Sequence, residues 1–218
     1  MITALPLLDF LAVDAPADQA NDTWIDFKTA ATLLITLLVA LSGYGYSLYL
    51  ARRRDRLERI NLQLSQYYGP LYSLSQTGEY VWRSFRETHR PHKGNYWTQG
   101  PPVLESDAHA FRVWMSGVFM PQNRAMKDII VHRADLLEET EMPQCLLDLC
   151  AHVSAYQALE KQWEQGNYYE HVPSVNFPRK ALSKYSAEKY LKLKGEQARL
   201  LNNRPFPFKF GTRRRARR

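Results

Sequence analysis

The sequence predicts an all-α protein in which one N-terminal transmembrane helix is followed by a cytoplasmic bundle of five or six helices. Three observations favour this fold class. One uncharged run is long enough to span a bilayer, apolar residues beyond it recur at spacings of three and four, and no segment alternates apolar and polar residues as a strand would. Two cysteines in 218 residues exclude a disulfide scaffold, and an apolar content of 45% excludes a disordered chain.

The N-terminal segment, residues 1–27, is acidic. It holds five aspartates and no lysine or arginine, whereas the rest of the chain carries 29 basic and 17 acidic residues. Its first stretch, MITALPLLDFLAV, lacks the basic region that opens a signal peptide and contains a proline and an aspartate. We therefore expect an extracytoplasmic segment that lies on the outer face of the membrane.

The predicted transmembrane helix covers residues 28–51. Its uncharged core, Thr29–Leu50, has 22 residues, and at about 1.5 Å per residue it would reach roughly 33 Å, enough for the hydrocarbon core. Aromatic residues flank it as in interfacial belts, and basic residues follow at once, which predicts an outside N-terminus and a cytoplasmic C-terminal domain. The basic residues expected to contact lipid here are Arg52, Arg53, Arg54 and Arg56.

Two sets of residues favour helix–helix contact. Ala40, Gly43 and Ser47 are small residues that would let another spanning helix approach closely. Leu57, Ile60 and Leu64 begin an apolar seam that continues through Tyr67, Leu71 and Leu74. Packing inside the chain's own bundle is one use of this seam, and pairing with a second copy is the alternative.

The cytoplasmic domain, residues 52–201, reads as consecutive helices. Gly69-Pro70 predicts a kink or a new helix start, and helical character continues over 71–89. A loop rich in proline, glycine and asparagine follows over 91–102. Further helices are predicted over 105–120, over 121–140 with Pro121 in the first turn, over 143–165 and over 179–201.

Several short motifs accompany this layout: Tyr68-Gly69-Pro70-Leu71-Tyr72, Met120-Pro121, Glu141-Met142-Pro143 and Asn176-Phe177-Pro178. Together with the single span and the basic stretch, they resemble a group of uncharacterised bacterial membrane-anchored helical proteins. The similarity covers roughly residues 30–180. It implies a bacterial inner-membrane setting and carries no activity with it.

Three sets of residues were weighed for chemistry. Cys145, Asp148 and His152 share a narrow helical arc, as a nucleophile with its base and acid or as metal ligands would, but adjacent core residues favour a structural role. Asp128, His132 and Asp135 share a helix face and have a spacing that would suit metal ligands, but a solvent-exposed polar face is the favoured interpretation. His89 and His92 are predicted in a loop that could bind a metal or an anion. The sequence contains no established catalytic or nucleotide-binding motif, and we expect no metal and no cofactor.

The C-terminal tail, residues 202–218, is rich in arginine and has no acidic residue. We expect it to contact the anionic inner leaflet, where each basic residue contributes about 1 kcal/mol. Nucleic acid is an alternative partner, and a disordered solubilising tail is another. The lipid-contacting residues predicted here are Phe206, Phe208, Arg213, Arg214, Arg215, Arg217 and Arg218.

The function that this pattern favours is non-enzymatic. The chain would be an inner-membrane scaffold or accessory subunit that presents a helical surface to a protein partner or to a second copy. A membrane effector, such as a toxin or defence component whose span oligomerises, is the second hypothesis. An enzyme with a dispersed site is the third.

Overall fold

The computed structural model describes residues 19–91 and 94–202, with side chains from Phe27 onward. These residues form α-helices and no strand, so the all-α prediction is confirmed for this part of the chain. The helices are α1 (Gln19–Gln63), α2 (Gly69–His89), α3 (Glu105–Trp114), α4 (Met120–His132), α5 (Gln144–Glu164) and α6 (Arg179–Asn202). The chain divides into two compact units, residues 1–53 and residues 54–218.

The first unit contains the apolar part of α1. Its side chains from Phe27 to Leu50 are exposed, with Ala31 half-buried. Helix α1 is longer than the predicted spanning segment, because it begins at Gln19 and ends at Gln63. The last ten residues of α1 belong to the second unit.

Two prolines follow π-helical turns. The turns are Leu64–Tyr68 and Met115–Phe119, and the α-helix that follows each of them carries proline in its first turn. The Gly69 N–H donates to the carbonyl of Leu64, five residues back. Proline has no N–H with which to bond the carbonyl four residues before it. In a π-helical turn beside the proline, an N–H bonds a carbonyl five residues back, so a different set of carbonyls is left without a donor. The backbone at Gly69 stays right-handed helical, so Gly69-Pro70 marks a helix start with no break in helical conformation.

Helix α4 ends earlier than predicted. The predicted helix ran over 121–140, but α4 stops at His132 because Arg133 leaves the helical conformation. A single 3₁₀ turn, Ala134–Leu136, follows. Glu138 and Glu139 follow in the bent connection to α5.

The core of the second unit lies among these helices. Helix α2 packs on α6 and α4, and α4 packs on α5. The seam predicted from Leu57 onward enters this core, since Ile60 and Leu64 are buried in the chain's own bundle and Leu57 is half-buried. The largest fully buried side chains are Tyr67, Tyr68, Tyr156, Phe85, Ile60, Leu71, Met120, Met126, Ile130, Leu146, Leu149 and Leu182.

Candidate functional site

The first candidate is the apolar surface of α1. One window of this helix is long and apolar enough to cross a membrane, with a mean hydropathy of 1.7, and none of the window is buried. By length and composition alone, a signal sequence or the core helix of a soluble protein would meet the same test. The five leucine side chains between positions 33 and 41 are more than half exposed, as Leu34 at 58% and Leu38 at 57% illustrate.

Hydroxyl groups within this apolar stretch hydrogen-bond to their own helix. The Oγ1 atoms of Thr32 and Thr36 donate to carbonyls four residues back, each at 2.7 Å. The Ser42 Oγ donates to the carbonyl of Val39 at 2.8 Å. Such bonds satisfy the hydroxyls without water, which suits an apolar medium.

The basic residues after the apolar stretch differ in their surroundings. Arg52 and Arg54 are exposed. Arg56 donates through Nε and Nη2 to the two carboxylate oxygens of Glu196 on α6, at 2.9 and 3.0 Å. This hydrogen bonding lowers the pKa of the Glu196 carboxyl. Arg56 therefore ties the end of α1 to α6, a contact that the sequence did not indicate.

The small residues proposed as a helix–helix contact, Ala40, Gly43 and Ser47, are exposed. A Cβ placed on Gly43 would meet nothing within 4 Å in the described part of the chain. The surface is thus open, as a contact with another helix would require. The predicted lipid-contacting residues of the tail lie outside the described residues.

The structure does not assemble the predicted set Cys145, Asp148 and His152 into a catalytic arrangement. Asp148 accepts a hydrogen bond from the Gln144 side chain at 2.7 Å. The His152 Nδ1–H donates to the Val175 carbonyl at 2.7 Å. Burial raises the pKa of the Cys145 thiol and lowers that of the buried His152 imidazole, so the thiol is protonated and the imidazole is neutral near pH 7.

The other predicted sets have local roles. No group of three or more metal-ligating side chains occurs among residues 19–91 and 94–202. Asp128, His132 and Asp135 are exposed, and the His132 ring bonds the backbone carbonyl of Asp128 at 2.9 Å. His89 ends α2 and lies against Phe85, with ring centroids 4.8 Å apart, so its placement in a loop was wrong. His92 lies outside the described residues.

A polar cluster joins α6 to the connection before α5. Lys189 contacts the carboxylates of Glu138 and Glu139 at 3.1 and 2.5 Å. The hydroxyls of Tyr68 and Tyr185 donate to the same oxygen of Glu139, at 3.4 and 3.1 Å. The carboxylates and the ammonium group thus satisfy one another, which favours a role in stability over one in ligand binding.

A cavity of about 270 Å³ lies inside the second unit. One face of α2 forms a wall of the cavity, and Ser75 and Gly78 leave space there because these residues are small. A Cβ on Gly78 would lie 3.3 Å from the Gln122 side chain, which also lines the cavity. Aromatic and apolar residues complete much of the lining: Leu74, Trp82, Tyr96, Trp97, Phe111, Met115, Phe119, Met126, Tyr156, Val172, Pro173 and Phe177.

Charged side chains of the cavity are Glu79, Arg86 and Arg179. The guanidinium of Arg179 lies over the Trp82 ring, 4.7 Å from its centroid. Its Nε is 3.4 Å from Glu79 Oε2, so the two side chains form an ion pair. The Glu79 Oε2 atom accepts no hydrogen bond from a described residue. Burial lowers the pKa of Arg179, and Arg86 shifts it in the same direction.

Another wall of the cavity is formed by Val172, Pro173, Asn176 and Phe177. They belong to the segment 166–178, which side chains of α5 hold in place. Beside the bond from His152, the Tyr156 hydroxyl donates to the His171 carbonyl at 3.1 Å. The Trp163 Nε1–H donates to the Glu170 carbonyl at 2.8 Å. His152 therefore positions a wall of the cavity, a different role from the nucleophilic set in which the sequence placed it.

Similarity to known proteins gives no information on the function of this chain. The chain matches no family model, no curated protein and no solved structure. The resemblance to bacterial membrane-anchored helical proteins therefore stays a prediction.

Sequence reasoning missed the cavity. Its residues come from α2, α3, the π-helical turn Met115–Phe119, α4, α5, α6 and two connections, so no local motif carries them. The available signals were weak: a glycine at position 78 inside a helix, and charged residues Glu79 and Arg86 flanking Trp82.

Proposed function

We propose that this chain is a single-span inner-membrane protein with its N-terminus outside and a cytoplasmic bundle of five or six helices. In this proposal the bundle serves as a scaffold or accessory subunit for a protein partner. The observation that carries the proposal is the unburied apolar window of α1. A core helix of a soluble protein would bury such side chains, because each one gains about 1.5–3 kcal/mol on leaving water.

Two features support a membrane as the medium for this helix. The hydroxyls of Thr32, Thr36 and Ser42 bond carbonyls of their own helix, so these three need no water. Exposed arginines follow the apolar stretch, whereas residues 1–27 hold no basic residue, which favours a cytoplasmic second unit.

A binding role for the second unit fits its polar groups. Of the side chains weighed as catalytic, His152 bonds the backbone and Asp148 bonds the Gln144 side chain, whereas Asp128, His132 and Asp135 lie exposed. Ion pairs such as Lys189 with Glu139 stabilise the fold. What remains available on the surface includes Tyr169, which is 96% exposed.

The membrane claim can be tested by paired arginine substitutions. Leu34→Arg with Leu38→Arg alters side chains that are 58% and 57% exposed, and the control pair Leu191→Arg with Leu201→Arg alters side chains at 62% and 60%. Without a membrane the two pairs should behave alike. In a membrane each arginine near the span centre costs about 2.5–3.5 kcal/mol.

We expect the wild-type chain and the control pair to stay in the membrane pellet after alkaline carbonate washing. The Leu34/Leu38 pair should appear in the soluble or degraded fraction. Equal retention of both pairs would contradict the span. The mass of the extracted chain tests a cleaved signal sequence, which would remove residues from its N-terminus.

The scaffold claim needs a partner. A photoreactive amino acid at Tyr169 should crosslink a second protein in whole cells, and the same group at the buried Tyr156 should not. If position 169 yields no crosslinked species while the chain is folded and membrane-bound, that part of the proposal is wrong.

A further inference from the structure

The cavity of the second unit is large enough for a small organic molecule. Its volume is about 270 Å³. An apolar cavity of roughly 150 Å³ takes up benzene. The space here therefore fits one aromatic ring with a short polar chain.

The walls favour a flat apolar body. Trp82 lies edge-on to Phe119, with centroids 5.4 Å apart, and edge-on to Phe111 at 6.4 Å. Phe177 and Met126 line the same space. Rings in such surroundings gain both burial and edge-to-face contacts.

The charges favour an anion. The charged side chains among the described lining residues are Arg86, Arg179 and Glu79, and the Arg86 guanidinium donates to the carbonyls of Arg90 and Gly94. His152 adds no charge near pH 7, because burial lowers its pKa. Arg179 can therefore pair with a ligand carboxylate, whereas it would repel a ligand cation.

Arg179 offers the geometry for a carboxylate. Its Nε faces Glu79, its side chain is 40% exposed, and no hydrogen bond from the guanidinium to another described residue is seen. A guanidinium fork binds a carboxylate through two parallel N–H···O bonds. The guanidinium also lies on Trp82, which places the fork beside the aromatic walls.

We propose that this cavity binds a small aromatic carboxylate, with its ring against the wall to which Trp82, Phe119 and Phe177 contribute and its carboxylate on Arg179. The site is independent of the membrane anchor and of any protein partner. Ligand binding would also affect the connection between α5 and α6, because Val172, Pro173, Asn176 and Phe177 line one side of the cavity.

Three probes with the same ring and different charges test the proposal: 3-phenylpropionate, 3-phenylpropanamide and 3-phenylpropylamine. Titration calorimetry uses the full chain in nanodiscs, with empty nanodiscs as the blank. We expect saturable binding of the propionate at one site, at least tenfold weaker binding of the amide, and no saturable binding of the amine. Failure of the propionate to bind, or equal binding of the amine, overturns the proposal.

Variants locate the site. Arg179→Gln should weaken propionate binding about tenfold or more and leave amide binding unchanged. Arg83→Gln, an exposed arginine of α2 outside the cavity, should bind like wild type. Glu79→Gln removes the competing carboxylate and should tighten propionate binding several-fold, a gain that a folding defect could not produce.

A steric pair completes the design. Gly78→Leu should fill the cavity and abolish binding, whereas Gly195→Leu, which points into open space on α6, should leave it unchanged. Circular dichroism confirms that each variant is folded. If propionate binding survives both Arg179→Gln and Gly78→Leu in folded protein, the anion binds elsewhere and the assignment is wrong.

Discussion

Gly69 stands where the π-helical turn meets α2, and the substitution Gly69→Ala should destabilise the second unit. A Cβ at position 69 would overlap the carbonyl oxygen of Leu64. That oxygen belongs to the backbone and accepts the Gly69 N–H, so it cannot move aside without opening the turn. The control is Gly195→Ala in α6, where a Cβ meets nothing within 4 Å.

The expected magnitude follows from the difference between the two variants. Both gain the same helix propensity, which cancels in the comparison. Overpacking of this kind costs about 1–3 kcal/mol, and loss of the π-turn hydrogen bond adds about 0.5–1.5 kcal/mol. Gly69→Ala should therefore be about 2–4 kcal/mol less stable than Gly195→Ala.

Thermal unfolding followed by circular dichroism measures this difference. For a unit of this size each kcal/mol shifts Tm by about 2–4 °C, so the two variants should differ by roughly 4–16 °C. Gly195→Ala should match or exceed the wild-type Tm. If both alanine variants raise Tm equally, the close contact at Gly69 does not exist and the reasoning about the turn is wrong.

Three further predictions concern titratable groups. Because burial lowers the pKa of His152, the folded chain binds a proton on this imidazole less tightly than the unfolded chain does. The stability should therefore be full above about pH 6.5 and fall as the pH drops. His152→Asn should flatten this pH dependence of the unfolding free energy, measured by urea titrations at about pH 5 to 8. Glu139→Ala should cost about 1–3 kcal/mol, and the exposed control Glu188→Ala less than about 0.5 kcal/mol, with equal losses counting against the cluster. Because burial raises the pKa of Cys145, iodoacetamide should alkylate this thiol more slowly at pH 7.5 in the native chain than in urea, and equal rates would contradict its burial.

The helical class and the apolar helix were predictable because both follow from periodicity and composition. The three-and-four spacing from Leu57 to Leu74 comes from one face of a helix, and the structure buries Ile60, Leu64 and Leu71 on that face. Such patterns depend on neighbours within about two turns, and a single sequence displays them directly.

Helix ends and junctions were harder to predict. Pro70 was predicted to mark a kink or a new helix start and Pro121 a first turn, and each does lie in the first turn of a helix. The π-helical turns before them were not foreseen, since they depend on how the chain satisfies carbonyls near a missing N–H. The helix α4 ends at His132, and the residues beyond it include Glu138 and Glu139, whose contacts with Lys189 no local pattern displays.

The candidate site was beyond sequence reasoning for a topological reason. The pair Glu79 and Arg179 joins residues a hundred positions apart, and no spacing rule connects them. Conversely, the arc of Cys145, Asp148 and His152 looked like a site because a helical wheel places residues on one face without saying what they touch. The structure turns His152 toward the backbone of Val175.

The orientation of the chain across the membrane is the central claim, and paired C-terminal fusions measure it most directly. A fluorescent protein fused after Arg218 should fluoresce, and alkaline phosphatase fused at the same position should be inactive, because the C-terminal unit is proposed to lie in the cytoplasm. Active phosphatase with a dark fluorescent fusion would place that unit outside and contradict the account.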